Sequence, residues 1–571
     1  MPDMSDDTMN GGPARWAGWA CSLLVAAAFV GYAVVLYDAM PESTFDDAYM
    51  FVRYAAHLLE GKGIAWNPDG AQVFGATSLP YMLLVAAGLK ILPLPPGTIL
   101  LLLSWSVGLA ALLGLWIVGV RNVENSLLRN PVFVGAFLFP LVLVLNIFPM
   151  NAVTGMDTTL SFASHVILIG AVLSFCRQPG VGALSVVVLA AGAALAVRPE
   201  NAVCALLFPM LSIVARRPES MRRWIAAFVA GFALLCLLDG GLKFVLFGQF
   251  FPLGAHAKTF ASLAGYTGKG DWNHVAYLQD FLTNGMMFFF TLVICVERRS
   301  LAWMVAFLAP MAATFACFFT FIPVMGFDAR YQCPFLPYLM IGSLLVLDRF
   351  LMEKGGWRPW RRNAARFAAA CVIFAGFQSP ALPESFADRY LRDEGLPPAR
   401  VVTSASRPLE QLDFWQNIVG FSSLLQRLPR DITIAATEHG YAGAGSPDVP
   451  IIDLSGLNSP EYALEEFSAD RVMAAKPDLI WLPHPHYTVR VKRILLHPRF
   501  LQEYELYEGA FNFGVALARN GPRYGEIRRT FLGVATILYP DADMLEYIVN
   551  DIYDAPSGAG EPASATTPAG D

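Results

Sequence analysis

Hydrophobic runs leave this chain few ways to fold. Stretches rich in Leu, Val, Ala and Phe recur at about 16–37, 79–95, 97–120, 131–150, 157–176, 181–197, 200–215, 223–246, 278–296, 301–322, 335–351 and 364–380. Most reach the roughly 17–25 residues that a helix needs to cross a bilayer. Backbone polar groups inside lipid must be satisfied within their own segment, so such runs are read as helices. Composition agrees: 55% of residues are hydrophobic and 15% charged, whereas a soluble domain is about one-quarter charged. The net charge of −6 argues against a polyanion binder, so no nucleic-acid partner is expected. The 8 cysteines lie in or beside apolar runs and none follows Cys371, which leaves no disulfide framework or CxxC metal site in the C-terminal third.

Basic residues in short loops set the orientation. They cluster at Arg121/Arg129, Arg177, Arg216-Arg217 with Arg222-Arg223, Arg298-Arg299, and Lys354 through Arg366. With these in the cytoplasm, segments 38–78, 151–157, 198–200, 247–277, 323–334 and everything after 380 lie outside. Twelve runs give the wrong parity, and 79–95, broken by Pro93, Pro95 and Pro96, reads as a juxtamembrane or re-entrant piece. The expectation is about eleven transmembrane helices. Residues 1–15 form a cytoplasmic N-terminus, 16–380 the membrane domain with first external loop 38–78, 381–554 an extracytoplasmic domain, and 555–571 a disordered tail of Pro, Gly, Ala, Ser and Thr. The texture after 380 is that of an α/β domain, with strand-like runs at Ile432–Ala436, Pro450–Leu454 and Leu479–Leu482 and helical segments at 408–427 and 461–475.

Ionisable groups beside a bilayer are costly and tend to be functional. Asp46-Asp47-Ala48-Tyr49 follows the first run, and the pattern predicts a helix from here to about Glu60, ended by Gly61. On its 3.6-residue period Asp46, Arg53, His57 and Glu60 share one face, while Asp47 points roughly 100° away. A lone Asp here would be read as a helix cap. Adjacent carboxylates repel each other, so a pair carries a penalty that one cap would not. Such a pair can act as general base or bind a divalent cation, and the sequence leaves that choice open. Asp157, Arg198 with Glu200, His256 with Lys258, and Asp328 with Arg330 all emerge on the same outer side. Each alone reads as a cap or interfacial anchor; together, and with Arg53, they suggest one substrate-binding basin. Carboxylates facing Arg198, Lys258 and Arg330 suit a phosphate-bearing substrate, and a lipid-linked phospho-sugar could enter sideways from the bilayer. Sugar transfer needs a base for the acceptor hydroxyl, Asp46 or Asp47, and cations for the departing phosphate.

The stretch Asp46-Asp47-Ala48-Tyr49, continued by Arg53-Tyr54, Gly61-Lys62-Gly63, Asn67-Pro68 and Gly75-Ala76-Thr77-Ser78, resembles the first external loop of bacterial GT-C membrane glycosyltransferases. It is most similar to the branch of terminal β-(1→2)-arabinofuranosyltransferases. Gly155-Met156-Asp157-Thr158, Arg198-Pro199-Glu200, and Phe247-Gly248 with Pro252 and Lys258 resemble further elements of that branch, as do Glu438-His439-Gly440 and Asp453 to Asn458. The sequence departs from the pattern at Gly70-Ala71-Gln72, Phe74, Asp157 and Pro252-Leu253. The resemblance implies a polyprenyl-phosphate-sugar donor, with a pentofuranose such as arabinose as the sugar. It also implies inverting transfer to a cell-envelope glycan or lipid, a catalytic carboxylate at Asp46 or Asp47, and a place in the bacterial inner membrane. A transporter or flippase for a lipid-linked saccharide is the alternative, but the charges sit at one rim and no half-chain repeat is visible. A non-catalytic receptor would leave the Asp pair and the many spans unexplained. His484 and His486 have no third ligand at metal spacing, and Asp453 and Asn458 read as holders of a turn.

Overall fold

A computed structural model of the chain describes residues 43–352 and 418–539, apart from 44, 126–127, 129, 131–132, 139–146, 258–273, 299, 320–328, 466, 482–487, 509–513 and 533–536, together with scattered positions between 20 and 34 and residue 371. The first helix of the membrane-side half, α1 (Asp46–Leu59), carries Asp46 and Asp47 in its first turn, where the helix dipole favours negative charge. It stops where Gly61 takes φ +80°, a conformation that favours glycine.

Among the described residues five helices are long and apolar enough to cross a membrane: Pro96–Asn122, Thr158–Arg177, Met221–Phe247, Leu301–Phe318 and Cys333–Met352. A sixth candidate is the pair Tyr277–Asn284 and Met286–Cys295, bent by 70°. The chain is a multi-pass membrane protein. Helix Met221–Phe247 lies on the perimeter and shows why: Leu237 is 73% and Val245 81% exposed, an arrangement that lipid solvates and water does not.

The expected count of about eleven is therefore reached only in part. Leu79–Ile91, at 13 residues, rises about 20 Å, short of a hydrocarbon core near 30 Å. Helices Val181–Val197 and Ala202–Arg216 are also short, because Arg198 is extended and Pro199 starts a 3-10 turn between them. Run 131–150 is described only in part, its end forming Ile147–Val153. Runs 16–37 and 364–380 and the tail 555–571 lie largely or wholly outside the described residues.

Beyond residue 418 the chain forms a mixed six-stranded sheet: β1 (Ile434–Ala436), β2 (Ile451–Asp453), β3 (Leu479–Trp481), β4 (Tyr504–Glu508), β5 (Val515–Ala518) and β6 (Ile537–Tyr539). The strand order is β2-β1-β3-β5-β4-β6. The first three are parallel, with Ile434 opposite both Ile451 and Leu479, and the rest join antiparallel. All three strands anticipated from the sequence form, one or two residues shorter. The anticipated helix 461–475 is instead two, Pro460–Ala463 and Ala469–Ala475.

Hydrophobic burial divides the molecule in an unexpected place. One core holds the helix bundle. The other joins the sheet domain to residues 45–86, so that Tyr49, Phe51 and Trp66 pack in the same cluster as Ile434, Trp481 and Phe531. Segment 43–78 thus folds with a sheet almost four hundred residues later, and Trp66 and Asn67 hydrogen-bond to Ile451 at the start of β2.

Candidate functional site

Helix α1, whose buried apolar residues belong to the sheet-side core, turns one set of side chains to the sheet domain and another to a cavity. Asp46, Arg53 and His57 face the sheet domain. The Asp46 carboxylate accepts from the backbone N–H of Gly440 and of Tyr441, both at 2.8 Å. The chains come so close that a Cβ on Gly440 would sit 2.0 Å from the Asp46 carbonyl oxygen. Arg53, fully buried, donates to the carbonyls of Trp66 (2.7 Å), Gly443 (2.9 Å), Ser446 (3.1 Å) and Val449 (2.8 Å). His57 meets the carbonyls of Ala65 and Pro447 at 2.8 and 3.0 Å. Burial pushes the Asp46 acid up, against the opposing pull of His439 and the two amides.

Around this contact the sheet domain gathers further ionisable groups. His439 pairs with Asp453 at 2.8 Å and meets the Trp66 ring edge-on at 4.9 Å. Burial works against both charges, and their mutual attraction outweighs it, holding His439 above and Asp453 below their ordinary values. Among the described residues Glu438 has no such partner; burial first, then Asp46, Asp47 and Asp453, push its acid well up.

The other face of α1 carries Asp47, Met50 and Phe51, which line a cavity of about 350 Å³. Asp47 meets both terminal nitrogens of Arg330 at 3.3 Å, and the Arg330 guanidinium lies over the rings of Phe45 and Tyr331 at 5.0 and 5.2 Å. Arg198 enters the same cavity. The break between helices Val181–Val197 and Ala202–Arg216 turns it inward, where it meets Asp157 at 2.5 Å and Glu200 at 3.5 Å. Asp157 precedes helix Thr158–Arg177 but makes no cap hydrogen bond; its carboxylate goes to Arg198 instead, leaving its second oxygen buried without a hydrogen-bond partner among the described residues. Apolar side chains, Met156, Val203 and Phe318 among them, complete the lining.

Of the residues singled out in the sequence, the cavity thus collects Asp47, Arg198, Glu200 and Arg330, with Asp157 behind Arg198. Asp46 and Arg53 are not among its lining residues; they point to the sheet domain, as the helical period requires once Asp47 points inward. His256 is half-buried on Leu253–Ala257 and does not line the cavity, although Pro252, Gly254 and Ala255 do. Lys258, Asp328, His484 and His486 lie outside the described residues. Among the described residues no group of three His, Cys, Asp or Glu could hold a metal ion.

Sequence reasoning passed over a half-buried ion pair inside run 223–246. Lys243 meets Asp239 at 2.5 Å and lies 5.6 Å from the Phe74 ring, which stacks on Phe247. The signal was present, as opposite charges four apart on an apolar helix.

No family model and no curated protein sequence matches the chain. Among solved structures it is similar to ArnT from Cupriavidus metallidurans bound to undecaprenyl phosphate, at 13% identity and TM-score 0.46 over 79% of this chain and 92% of that one. It is also similar to the oligosaccharyltransferase of Archaeoglobus fulgidus tethered with an acceptor peptide, at 11% identity and TM-score 0.44 over 88% of this chain and 74% of that one. A third likeness is to the same organism's AglB in complex with an inhibitory peptide and a dolichol-phosphate, at 11% identity and TM-score 0.43 over 88% and 75%.

Proposed function

We propose that this protein is a membrane glycosyltransferase that moves one sugar from a polyprenyl-phosphate donor to a glycan or lipid acceptor at the outer face of a bacterial inner membrane. The observation that carries this reading is an apolar-lined cavity holding two carboxylates, Asp47 and Glu200, and two guanidiniums, Arg198 and Arg330, with Asp47 the carboxylate paired to Arg330. The sequence elements that resemble GT-C enzymes at 46–49, 155–158 and 198–200 contribute to the same cavity and agree with it.

The chemistry follows from partner exchange. In the resting cavity Arg330 holds Asp47. A donor phosphate, carrying more charge and more acceptor oxygens, competes for Arg330 and Arg198. Asp47 is then free to take the proton of the acceptor hydroxyl. The acceptor oxygen bonds to the anomeric carbon while that carbon's bond to the phosphate oxygen breaks, and the electron pair leaves with the phosphate. The two guanidiniums stabilise the charge that develops there. Such a single displacement inverts the anomeric centre.

The test is a transfer assay with purified, detergent-solubilised protein and a panel of pentofuranosyl and hexosyl polyprenyl phosphates, beside Asp47→Asn. Release of free polyprenyl phosphate from one donor, absent in the variant, supports the reading and identifies the sugar. Binding of a lipid-linked sugar without turnover would overturn it in favour of a transporter.

A further inference from the structure

Among the described residues the sheet domain sends one side chain, Leu457, into the cavity lining, and the surrounding turn is built to hold it there. Asp453 is fully buried at the end of β2. Its Oδ1 accepts from the N–H of Ser455 and of Gly456, at 2.7 and 3.1 Å, and from the Ser455 hydroxyl; its Oδ2 accepts from the N–H and side-chain amide of Asn458 at 2.7 and 3.0 Å. Gly456 takes φ +82°, and a Cβ there would meet the Tyr462 carbonyl oxygen at 2.8 Å. Asn458 accepts from the Tyr54 hydroxyl of α1 at 2.9 Å, and Ser459 accepts from the Asp453 N–H at 3.0 Å. From 453 to 459 every residue except Leu457 is buried.

A half-exposed leucine beside a core is usually packing. Here the neighbouring lining is made of residues with little to interdigitate: Gly75, Ala76, Gly254 and Ala255. The Leu457 side chain comes to 3.6 Å from where a Cβ on Gly254 would stand, and the Leu457 carbonyl oxygen to 2.8 Å from the same position on Gly75. Leu457 is therefore the bulky member of a wall of small residues, held by backbone and buried side-chain hydrogen bonds and bounding open space. Apolar surfaces of this kind gauge size, because removing methylenes changes what fits more than how tightly phosphate is held.

We propose that Leu457 determines specificity: through it the sheet domain limits the size of the sugar ring that can lie against the small-residue wall. This rests on the glycosyltransferase reading and adds to it a role for the sheet domain. The experiment compares full-length wild type, Leu457→Ala and Leu457→Phe across pentosyl and hexosyl polyprenyl phosphates. In Leu457→Ala the ratio of kcat/KM for the bulkier donors to that for the smaller is expected to rise about tenfold, and in Leu457→Phe to fall. Gly456→Ala, which strains the turn, should shift the ratio as Leu457→Ala does. Unchanged ratios in all three, with transfer intact, overturn the inference and leave the proposed function standing. No transfer by wild type from any donor overturns both.

Discussion

The two faces of α1 carry neighbouring residues of identical chemistry and give them opposite employment. Asp46 accepts from two backbone amides of the sheet domain, groups that nothing can replace without moving the chain. Asp47 meets a side chain, Arg330, that a stronger anion can draw away. The difference teaches that reactivity in such a pair depends on how exchangeable a carboxylate's partner is, more than on the carboxylate itself. A clamp needs fixed partners; a base needs one that leaves.

Substitutions on the two faces should therefore act on different observables. The largest effect is expected from Arg53→Leu, which removes the guanidinium donor from the carbonyls of Trp66, Gly443, Ser446 and Val449, of which Ser446 keeps the Val449 N–H. We expect a loss of about 3 kcal/mol or more, read as a lower melting temperature in detergent, with activity lost only as the protein unfolds. Next is Asp47→Asn, expected to slow transfer by roughly two orders of magnitude or more, the scale of a lost general base, at unchanged melting temperature. If Asp47→Asn unfolds the protein, or Asp46→Asn alone removes turnover from a folded one, the division between the faces is wrong. Asp46→Asn replaces one accepting oxygen by an amide that faces a donor, and should destabilise by about 2 kcal/mol while leaving the donor KM unchanged.

The smallest effect is a pH slope. His439 has its proton affinity raised by folding. Its contribution is fully present below the unfolded value near 6.5 and is lost as pH rises through the folded value. Glu438, also raised, acts with the same sign, from its own unfolded value near 4.3 upward. Asp453, depressed, loses its contribution on the acid side. The melting temperature should thus fall as pH rises above about 6.5, and His439→Gln should flatten that slope without altering donor specificity.

Much of α1 was legible in the sequence. Its start, its end at Gly61 and the separation of Asp46 from Asp47 all follow from helical period and glycine chemistry, which are local. What the period could not supply was the identity of the surface each face meets. Asp46, Arg53 and His57 were read as one face, but besides the nearby carbonyls of Trp66 and Ala65 each has partners 390 or more residues away, beyond any local rule. The motifs at Asp157 and Arg198 were separate observations in the sequence and became one ion pair across 41 residues. Hydropathy located the apolar runs, of which five or six form candidate spans among the described residues, and Arg198-Pro199 separates two shorter helices, as the polar break at 198–200 suggested. Leu457 lay within the Asp453 to Asn458 stretch that the resemblance picked out, but nothing set it apart there: a leucine declares its role only once the space beside it is known.

The shared core of segment 43–78 and the sheet domain has a consequence in time. Asp46 and Gly440 are 394 residues apart, and a ribosome adding about 5–20 residues per second needs roughly 20–80 s to make that stretch. For that interval Tyr49, Phe51 and Trp66 have been synthesised and the strands that cover them have not. During biogenesis this short segment must be sheltered, by lipid, insertion machinery or a chaperone, until the last quarter of the protein arrives.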